Sequence, residues 1–226
     1  MKDLEFVGIG GAYALELGGN CAYIKDNEHL FLIDCCEDAT KKLKHKGAFD
    51  GVNKITIAIT HTHADHVAGI GTFVWYANFM LNIKPSIIIN YDGFTKHISD
   101  LFKLLGIDEK YIDFVNQKEV VVDGCKVEML PTKHTKRLKC FGIMFTKNNA
   151  KYYYTGDTSD IDFVTQLTKD TSVKKIYCEA SRKSYDVHID YKQLKQIKCD
   201  KLVLMHFETE QLYEQAKKDC FNTAKL

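Results

Sequence analysis

The chain has 226 residues, of which 45% are apolar and 27% charged, as in an ordinary globular protein rather than a disordered or fibrous one. Its 31 lysines and arginines nearly balance 30 aspartates and glutamates, which leaves a formal net charge of +1. This balance argues against a protein that depends on non-specific attraction to nucleic acid or membrane, because both need an excess of positive charge.

The N-terminal residues and the cysteines both predict a cytoplasmic protein. Residues 1–6 carry acids where a signal peptide would be apolar, and no apolar run approaches the ~20 residues of a membrane-spanning helix. The eight cysteines are scattered and form no C-x-x-C pair, so neither a structural zinc site nor a disulfide framework is predicted. We therefore expect reduced thiols and no membrane partner.

Hydrophobic periodicity predicts strands that are followed by helices in each half of the chain. In the first half, the pattern predicts strands at 4–9, 12–17, 21–25, 30–33, 55–60 and 86–91, and helices at 37–46, 67–81 and 93–105. In the second half, it predicts strands at 119–122, 125–130, 140–145, 152–154, 175–178 and 202–205, and helices at 159–168, from 191 and from 208.

No linker or shift in composition marks a domain boundary, so residues 1–226 are expected to form a single domain. Its class is α/β (α+β). The element order fits a four-layer αβ/βα sandwich, because each sheet must bury one face on the other sheet and one face under helices.

One segment concentrates side chains that bind metals. Residues 60–66 read Thr-His-Thr-His-Ala-Asp-His, directly after a predicted buried strand and before a predicted helix. Three imidazoles and a carboxylate so close together would repel one another if charged and be poorly satisfied if buried, whereas a bound cation resolves both problems. Such ligands favour Zn²⁺, with Mn²⁺ or Fe²⁺ as alternatives. The competing interpretation is a solvated polar turn.

This His-x-His-x-Asp-His pattern resembles the hallmark of the metallo-β-lactamase fold superfamily, and the resemblance continues along nearly the whole chain. Three later residues, each after a strand-like run, match the remaining metal-ligand positions of that superfamily: His134, Asp157 and His206. Taken alone, each is better explained structurally, the histidines as surface or capping residues and Asp157 as a helix cap.

The resemblance implies two divalent transition metal ions, with Zn²⁺ preferred and Mn²⁺ as the alternative. The implied ligands are His61, His63 and His134 for one ion, Asp65, His66 and His206 for the second, and Asp157 as a bridge between them. Asp65 is also expected to orient the attacking water or accept its proton. The redox branch of the superfamily typically has Glu in place of the second histidine, so His63 favours hydrolysis.

A later segment resembles the RNase Z branch of this superfamily, where a Glu and a following His lie shortly before the last metal-binding histidine. Glu179 and His188 occupy these positions. By this resemblance His188 donates a proton to the leaving oxygen and Glu179 orients it. A phosphate ester needs such an acid because an alkoxide leaves poorly, whereas a thiolate leaves without help. The alternative for His188 is a surface position in a polar loop.

The tRNA-processing members of the branch commonly carry a long arm between the positions that match His134 and Asp157. In this chain only residues 135–156 lie between them, which are too few for such an arm. The chain is therefore more similar to the small cyclic-nucleotide phosphodiesterases of the superfamily, such as the phage anti-Pycsar proteins that destroy cyclic nucleotide immune signals. This similarity implies a homodimer, in the host cytoplasm if phage-encoded, that hydrolyses cyclic mononucleotides to 5′-monophosphates. The alternatives are an RNase Z-like tRNA 3′-processing endonuclease, which would need a large RNA partner, and a glyoxalase II-like thioester hydrolase.

Two local features leave alternatives open. A basic cluster beside His134 suits either one or two phosphates or a solvated loop, and it comprises Lys133, Lys136, Arg137 and Lys139. Cys36 follows a strand at a sharp turn where the superfamily usually has glycine, so a positive φ there would strain it. We assign no substrate-binding or base-stacking residue, because an aromatic side chain is more often part of a core.

Overall fold

Two mixed β-sheets lie face to face, and helices pack against both of them. The structure, a computed structural model, describes residues 1–89, 92–182 and 185–226. Phe31 of one sheet contacts Phe145 of the other, with ring centroids 5.7 Å apart, so the core lies between the sheets. The predicted two-sheet sandwich is confirmed.

The first sheet contains six strands in chain order. They are β1 (Glu5–Gly8), β2 (Cys21–Asp26), β3 (His29–Ile33), β4 (Lys54–Ala58), β5 (Ser86–Ile89) and β6 (Asp113–Asn116). Strands β1 to β3 pair antiparallel, and β3 to β6 pair parallel. The helices of this half are α1 (Ala39–His45), α2 (Ala64–Val67), α3 (Ile70–Met80) and α4 (Asp92–Leu104).

The second sheet contains seven strands, and these also follow one another in chain order. They are β7 (Val121–Val122), β8 (Cys125–Pro131), β9 (Phe141–Lys147), β10 (Ala150–Tyr154), β11 (Val173–Ala180), β12 (Leu202–Phe207) and β13 (Asn222–Thr223). Strands β7 to β10 pair antiparallel, and β10 to β13 pair parallel. The helices of this half are α5 (Ile161–Lys169), α6 (Tyr191–Gln196) and α7 (Glu210–Lys218), and short 3₁₀ turns lie at Leu15–Leu17, Glu109–Tyr111 and Gln117–Glu119.

Several predicted elements differ from the observed ones for local reasons. The strand predicted at 12–17 is a turn closed by the Ala14 amide on the Gly11 carbonyl, followed by a 3₁₀ turn. The helix predicted at 67–81 is divided near Gly69, whose amide donates to the carbonyl of Cys35 instead. The predicted strand 86–91 ends at Ile89 within the described residues, and its positions 90 and 91 lie outside them.

The parallel pairings bring strand ends to one rim of the sandwich. Strands β3 and β4 end side by side in the first sheet, and β10, β11 and β12 do so in the second. Strand β8 runs in the direction of β10, because each is antiparallel to β9. Side chains that follow these strands therefore collect at the same edge, as they do in other sheets with parallel strands.

Two further features of the chain concern its cysteines and its helices. All eight cysteines are among the described residues and all are free thiols. In the described part of the chain, no helix is both long enough and apolar enough to cross a bilayer.

His29 predicts a pH dependence of folding. It lies opposite Lys54 on β4, and burial, followed by the charge of Lys54, lowers the pKa of His29 to about 4. The unfolded chain binds this proton near pH 6.5, so stability should fall as pH drops from 6.5 toward 4, where only the unfolded state is protonated. His29→Gln should remove about 1 kcal/mol of the stability lost between pH 7 and pH 5, after allowance for solvent screening of this half-buried ring.

Urea unfolding at pH 7 and pH 5 measures this effect. His45→Gln, which removes an exposed imidazole from α1, is the matched control. Identical pH dependence in His29→Gln and wild type would contradict the expectation.

Candidate metal centre

The first cluster at the rim consists of three histidines and one carboxylate oxygen. Nδ1 of His63 lies 2.9 Å from Nε2 of His61 and 3.2 Å from Nε2 of His134. Oδ2 of Asp157 lies 3.8 Å and 3.7 Å from Nε2 of His61 and His134. All four donor atoms lie within 4.8 Å of one another, which is compatible with ligation of a single ion.

The second cluster adjoins the first and shares its carboxylate. Oδ2 of Asp65 lies 3.6 Å from Nε2 of His66 and 3.4 Å from Nε2 of His206. Oδ1 of Asp157 lies 3.3 Å and 3.4 Å from the same two nitrogens. Asp157 therefore presents Oδ2 to the first cluster and Oδ1 to the second.

Two irregularities of the backbone aim these ligands. Gly156 has a φ of +58°, and a Cβ there would lie 2.5 Å from the carbonyl oxygen of Phe141, so only glycine fits the turn that presents Asp157. His206 has a φ of +46°, and the register of β11 and β12 shifts at this residue. The shift is a β-bulge, a device that re-aims a side chain next to functional sites.

Two of these donor atoms are buried without a hydrogen-bond partner in the described part of the chain, and a bound cation would satisfy them. Nε2 of His66 and Oδ1 of Asp157 are buried and have no hydrogen-bond partner among the described residues, which is costly unless a ligand satisfies them. On the other side of the rings, Nδ1 of His134 donates to the carbonyl of Val187 at 2.8 Å, and Nδ1 of His61 lies 3.1 Å from Oγ1 of Thr60. The Nε2 lone pairs are thus left for ions, and such outer hydrogen bonds commonly orient metal-binding histidines.

The pKa shifts separate the two clusters. Burial lowers the pKa of His61, His63 and His134, which keeps these rings in the neutral form that binds metal. In the second cluster burial lowers the pKa of His66 and His206, but the charge of Asp157 and the hydrogen bonds to neighbouring carboxylates together outweigh burial and raise both. Asp157 there attracts positive charge, and two divalent ions would supply it. The set of imidazoles and carboxylates suits Zn²⁺ or Mn²⁺.

Asp34, at the end of β3, supports the centre, and the sequence pattern did not select it. This buried carboxylate accepts hydrogen bonds from Nδ1 of His66 at 2.8 Å and from the amide and Oγ1 of Thr60 at 2.7 and 2.8 Å. Burial raises the pKa of Asp34, and the nearby His66 opposes that rise. In the turn after β3, the residue with a positive φ is Asp34, at +61°. Cys36 has no positive φ, so the prediction of strain at Cys36 was wrong.

Asp34→Asn should weaken metal binding. Asparagine tolerates a positive φ, but without the charge it holds Nδ1–H of His66 less firmly. Loss of such an outer hydrogen bond to a metal-binding histidine typically costs 10- to 100-fold in affinity, and we expect about tenfold here. Competition against a chelating dye measures the affinity, with the exposed Asp162 changed to Asn as control. Unchanged affinity in Asp34→Asn would show that His66 does not depend on this carboxylate.

Glu179 and His188 form a pair beside the two clusters. Nδ1 of His188 donates to Oε2 of Glu179 at 2.7 Å, and Oε1 of Glu179 accepts from the Thr158 amide. Burial, followed by the charge of Asp157, raises the pKa of Glu179. Nδ1 of His188 also lies 3.9 Å from Oδ2 of Asp157, so the imidazole stands at the edge of the metal centre with its Nε2 uncommitted to Glu179.

A pocket of about 390 Å³ opens over this centre. Its lining includes His63, Asp157, His188 and His206, and it also includes two tyrosines that no pattern in the sequence had selected, Tyr13 and Tyr185. The basic cluster of residues 133–139 is not part of the described lining, and Nζ of Lys133 instead pairs with Oδ2 of Asp160 at 2.8 Å.

The fold and the paired clusters define the class: this is a protein of the metallo-β-lactamase fold. Among solved structures, the metallo-β-lactamase fold protein YhfI from Bacillus subtilis superposes with a TM-score of 0.75 and 17% sequence identity. The superposition covers 98% of this chain and 95% of that one. The fold expected from the motif is thereby confirmed.

Within that class, the chain belongs to the family of the anti-Pycsar protein Apyc1, whose family model matches residues 2–225. The anti-Pycsar protein Apyc1 of Paenibacillus harenae is 28% identical over 167 residues, which cover 68% of this chain and 66% of that protein. The anti-Pycsar protein Apyc1 of Paenibacillus xerothermodurans is 26% identical over 230 residues, with coverage of 92% and 88%. The resemblance to this family predicted from the motifs is confirmed.

Proposed function

We propose that this protein is a dinuclear metal-dependent phosphodiesterase that hydrolyses cyclic mononucleotides to 5′-monophosphates. The observation that carries the proposal is Asp157, which presents one oxygen to each of two adjoining ligand clusters. Membership of the anti-Pycsar family supports a cyclic nucleotide as substrate.

The ligand sets proposed are the two clusters described above, with Zn²⁺ or Mn²⁺ as the ions. Two such ions would supply a water of lowered pKa and positive charge for the phosphoryl oxygens. Asp65, a member of the second cluster, is the proposed residue that orients the attacking water or accepts its proton. Burial raises the pKa of Asp65, but the hydrogen bond of His206 and the charges of His66 and His206 together outweigh burial and lower it, so the carboxylate is ionised and can accept a hydrogen bond from that water.

His188 is the proposed general acid. Its Nδ1 is held by Glu179, so Nε2 is the ring atom available to donate a proton to the departing 3′ oxygen of the sugar. That oxygen leaves poorly as an alkoxide, and general acid catalysis by a positioned side chain commonly contributes 10²- to 10⁴-fold. Glu179 acts through His188 and is a positioning residue.

A small substrate fits the local chain better than a tRNA. Between His134 and Asp157 every residue is described, and this stretch consists largely of β9 and β10 joined by a tight turn. An arm that would grip an RNA has no place there. The net charge of the chain is near zero, so the chain also lacks the excess of positive side chains that binds a large nucleic acid.

A panel of three substrate classes tests the proposal. We expect the metal-loaded protein to open 3′,5′-cyclic pyrimidine and purine nucleotides to 5′-monophosphates, and to leave a precursor tRNA and a glutathione thioester intact. Reaction in ¹⁸O-labelled water should place one label on the phosphate, as detected by mass spectrometry. Cleavage of the precursor tRNA without opening of any cyclic nucleotide would instead support the RNase Z-like function.

We also propose a homodimer, as the family resemblance implies. Sedimentation equilibrium should then give about twice the 25.9 kDa mass of the chain. A single species at the monomer mass, at the concentrations used for activity, would contradict it.

A further inference from the structure

Two tyrosines stand exposed at the mouth of the metal pocket. Tyr13 exposes 82% of its surface and Tyr185 71%, and both line the pocket together with His63, Asp157 and His206. Neither ring contributes to the core, so packing does not account for either. Both rings are available to a molecule that enters the pocket.

Tyr13 lies beside the second ligand cluster because its turn rests on His206. The amide of Gly11 donates to the carbonyl of Phe207 at 2.8 Å, and the amide of Ala14 closes the turn on Gly11 at 3.1 Å. A Cβ on Gly11 would lie 3.0 Å from Cε1 of His206. The turn that carries Tyr13 is therefore fixed directly against a proposed metal ligand.

Tyr185 lies beside the first cluster on a different loop. Two residues later, the carbonyl of Val187 accepts the hydrogen bond of Nδ1 of His134 at 2.8 Å. The next residue is His188, the proposed general acid. The two tyrosines thus border the pocket from loops that contact His206 and His134, which belong to different clusters.

The pocket has a polar floor and a partly apolar rim. The floor consists of imidazoles and carboxylates that would hold cations, and no lysine or arginine occurs among the described lining residues. Ala12, Tyr13, Tyr185 and Val187 add apolar surface to the lining, beside the polar Ser181 and Glu208. A complementary ligand has an anionic end for the ions and a flat, weakly polar end for the rim, and the pocket volume of about 390 Å³ lies within the range of small-ligand sites.

We infer that Tyr13 and Tyr185 hold the nucleobase of the substrate by stacking. This inference rests on the proposed function and extends it to the part of the substrate remote from the phosphate. Stacking between a base and an aromatic side chain is favourable enough that removal of one ring should weaken binding about tenfold. Because only the face of the ring is needed, phenylalanine should replace tyrosine at both positions.

Calorimetric titration tests the inference without any turnover. The probes are hydrolysis-resistant phosphorothioate analogues of a purine and a pyrimidine 3′,5′-cyclic nucleotide, and a base-free 1-O-methylribose 3′,5′-cyclic phosphorothioate. In the metal-loaded protein, Tyr13→Ala and Tyr185→Ala should each raise Kd for the nucleotide analogues about tenfold and leave Kd for the base-free analogue unchanged. Tyr13→Phe and Tyr185→Phe should bind like wild type. Phe79, an exposed aromatic on α3 (64% exposed), offers the matched control in Phe79→Ala.

Each other outcome overturns the inference in a recognisable way. Equal losses for the nucleotide and base-free analogues would show that the tyrosines support the pocket rather than the base. Unchanged Kd in both alanine variants, with cyclic nucleotides still hydrolysed, would refute the stacking role alone. Failure of the wild type to bind the analogues or to hydrolyse the nucleotides would remove the proposed function with it. A change of sedimenting mass in Tyr13→Ala or Tyr185→Ala would assign the rings to a subunit interface.

Discussion

Asp157→Ala should remove most of the metal from the protein. Wild type is expected to hold about two equivalents of transition metal per chain, as a dinuclear hydrolytic centre requires, and the variant well under one. The reason is geometric: the two oxygens of Asp157 lie 3.3 to 3.8 Å from ring nitrogens of both clusters, so its loss takes a ligand from each ion. Mass spectrometry of inorganic elements, after dialysis against metal-free buffer, gives the stoichiometry.

Asp157→Asn sharpens this prediction, because asparagine keeps a single carbonyl oxygen and can serve only one cluster. We expect about one equivalent of metal in this variant, between wild type and Asp157→Ala, since an amide nitrogen does not ligate. Asp162→Ala, on the exposed face of α5, should retain the wild-type content. Far-UV circular dichroism must show that all variants are folded. Two equivalents retained in folded Asp157→Ala would exclude the bridge.

The site was more predictable from the sequence than the details of the fold. Four of its donors stand within residues 61–66, and the other three each follow a strand-like run. In the structure all seven donors meet at one rim, because parallel strands end together and β8 runs with them. The assignment of these seven as metal ligands, and of Glu179 and His188 as a catalytic pair, stays a prediction until metal and activity are measured.

Asp34 shows what local patterns miss. The residue follows the buried strand β3, and β3 pairs in parallel with β4, which leads into the histidine motif. Its contact with His66 spans 32 positions of sequence, and only the pairing of the two strands indicates it. Tyr13 was missed for a different reason: the apolar pattern of residues 12–17 suggested a strand, whereas the contact of Gly11 with His206 requires a turn.

The structure also explains why the basic cluster at residues 133–139 could not be interpreted from charge alone. In the sequence, Lys133 is adjacent to His134 and suits a phosphate. In the structure the backbone carbonyl of Lys133 accepts the Ser159 amide at 2.6 Å, and its ammonium pairs with Asp160. Asp160 precedes α5 and caps it through the amide of Phe163. Lys133 therefore connects two loops beside the site and is not part of the pocket lining.

His188→Ala should slow opening of cyclic nucleotides by about 10²- to 10⁴-fold in kcat, the range for loss of a general acid. The metal content should remain that of wild type, because His188 is not one of the donors in the two proposed ion sites. The loss should be much smaller with bis-p-nitrophenyl phosphate, since p-nitrophenolate departs without a proton. Steady-state kinetics on both substrates, with metal analysis of the same preparations, gives the comparison.

The contrast between the two substrates distinguishes acid catalysis from mere support of the site. If His188 only packed beside Asp157, its removal would disturb the centre and reduce both reactions equally. The 2.7 Å hydrogen bond to Glu179 predicts a second, milder variant: Glu179→Gln keeps an acceptor for the Thr158 amide but loses the carboxylate that holds the ring. It should follow the same substrate pattern as His188→Ala with a smaller loss, of about tenfold. His45→Ala, at an exposed histidine on α1, should leave both reactions unchanged. Equal losses on the two substrates in His188→Ala would assign proton delivery to another group or to water, and the pair would then be structural.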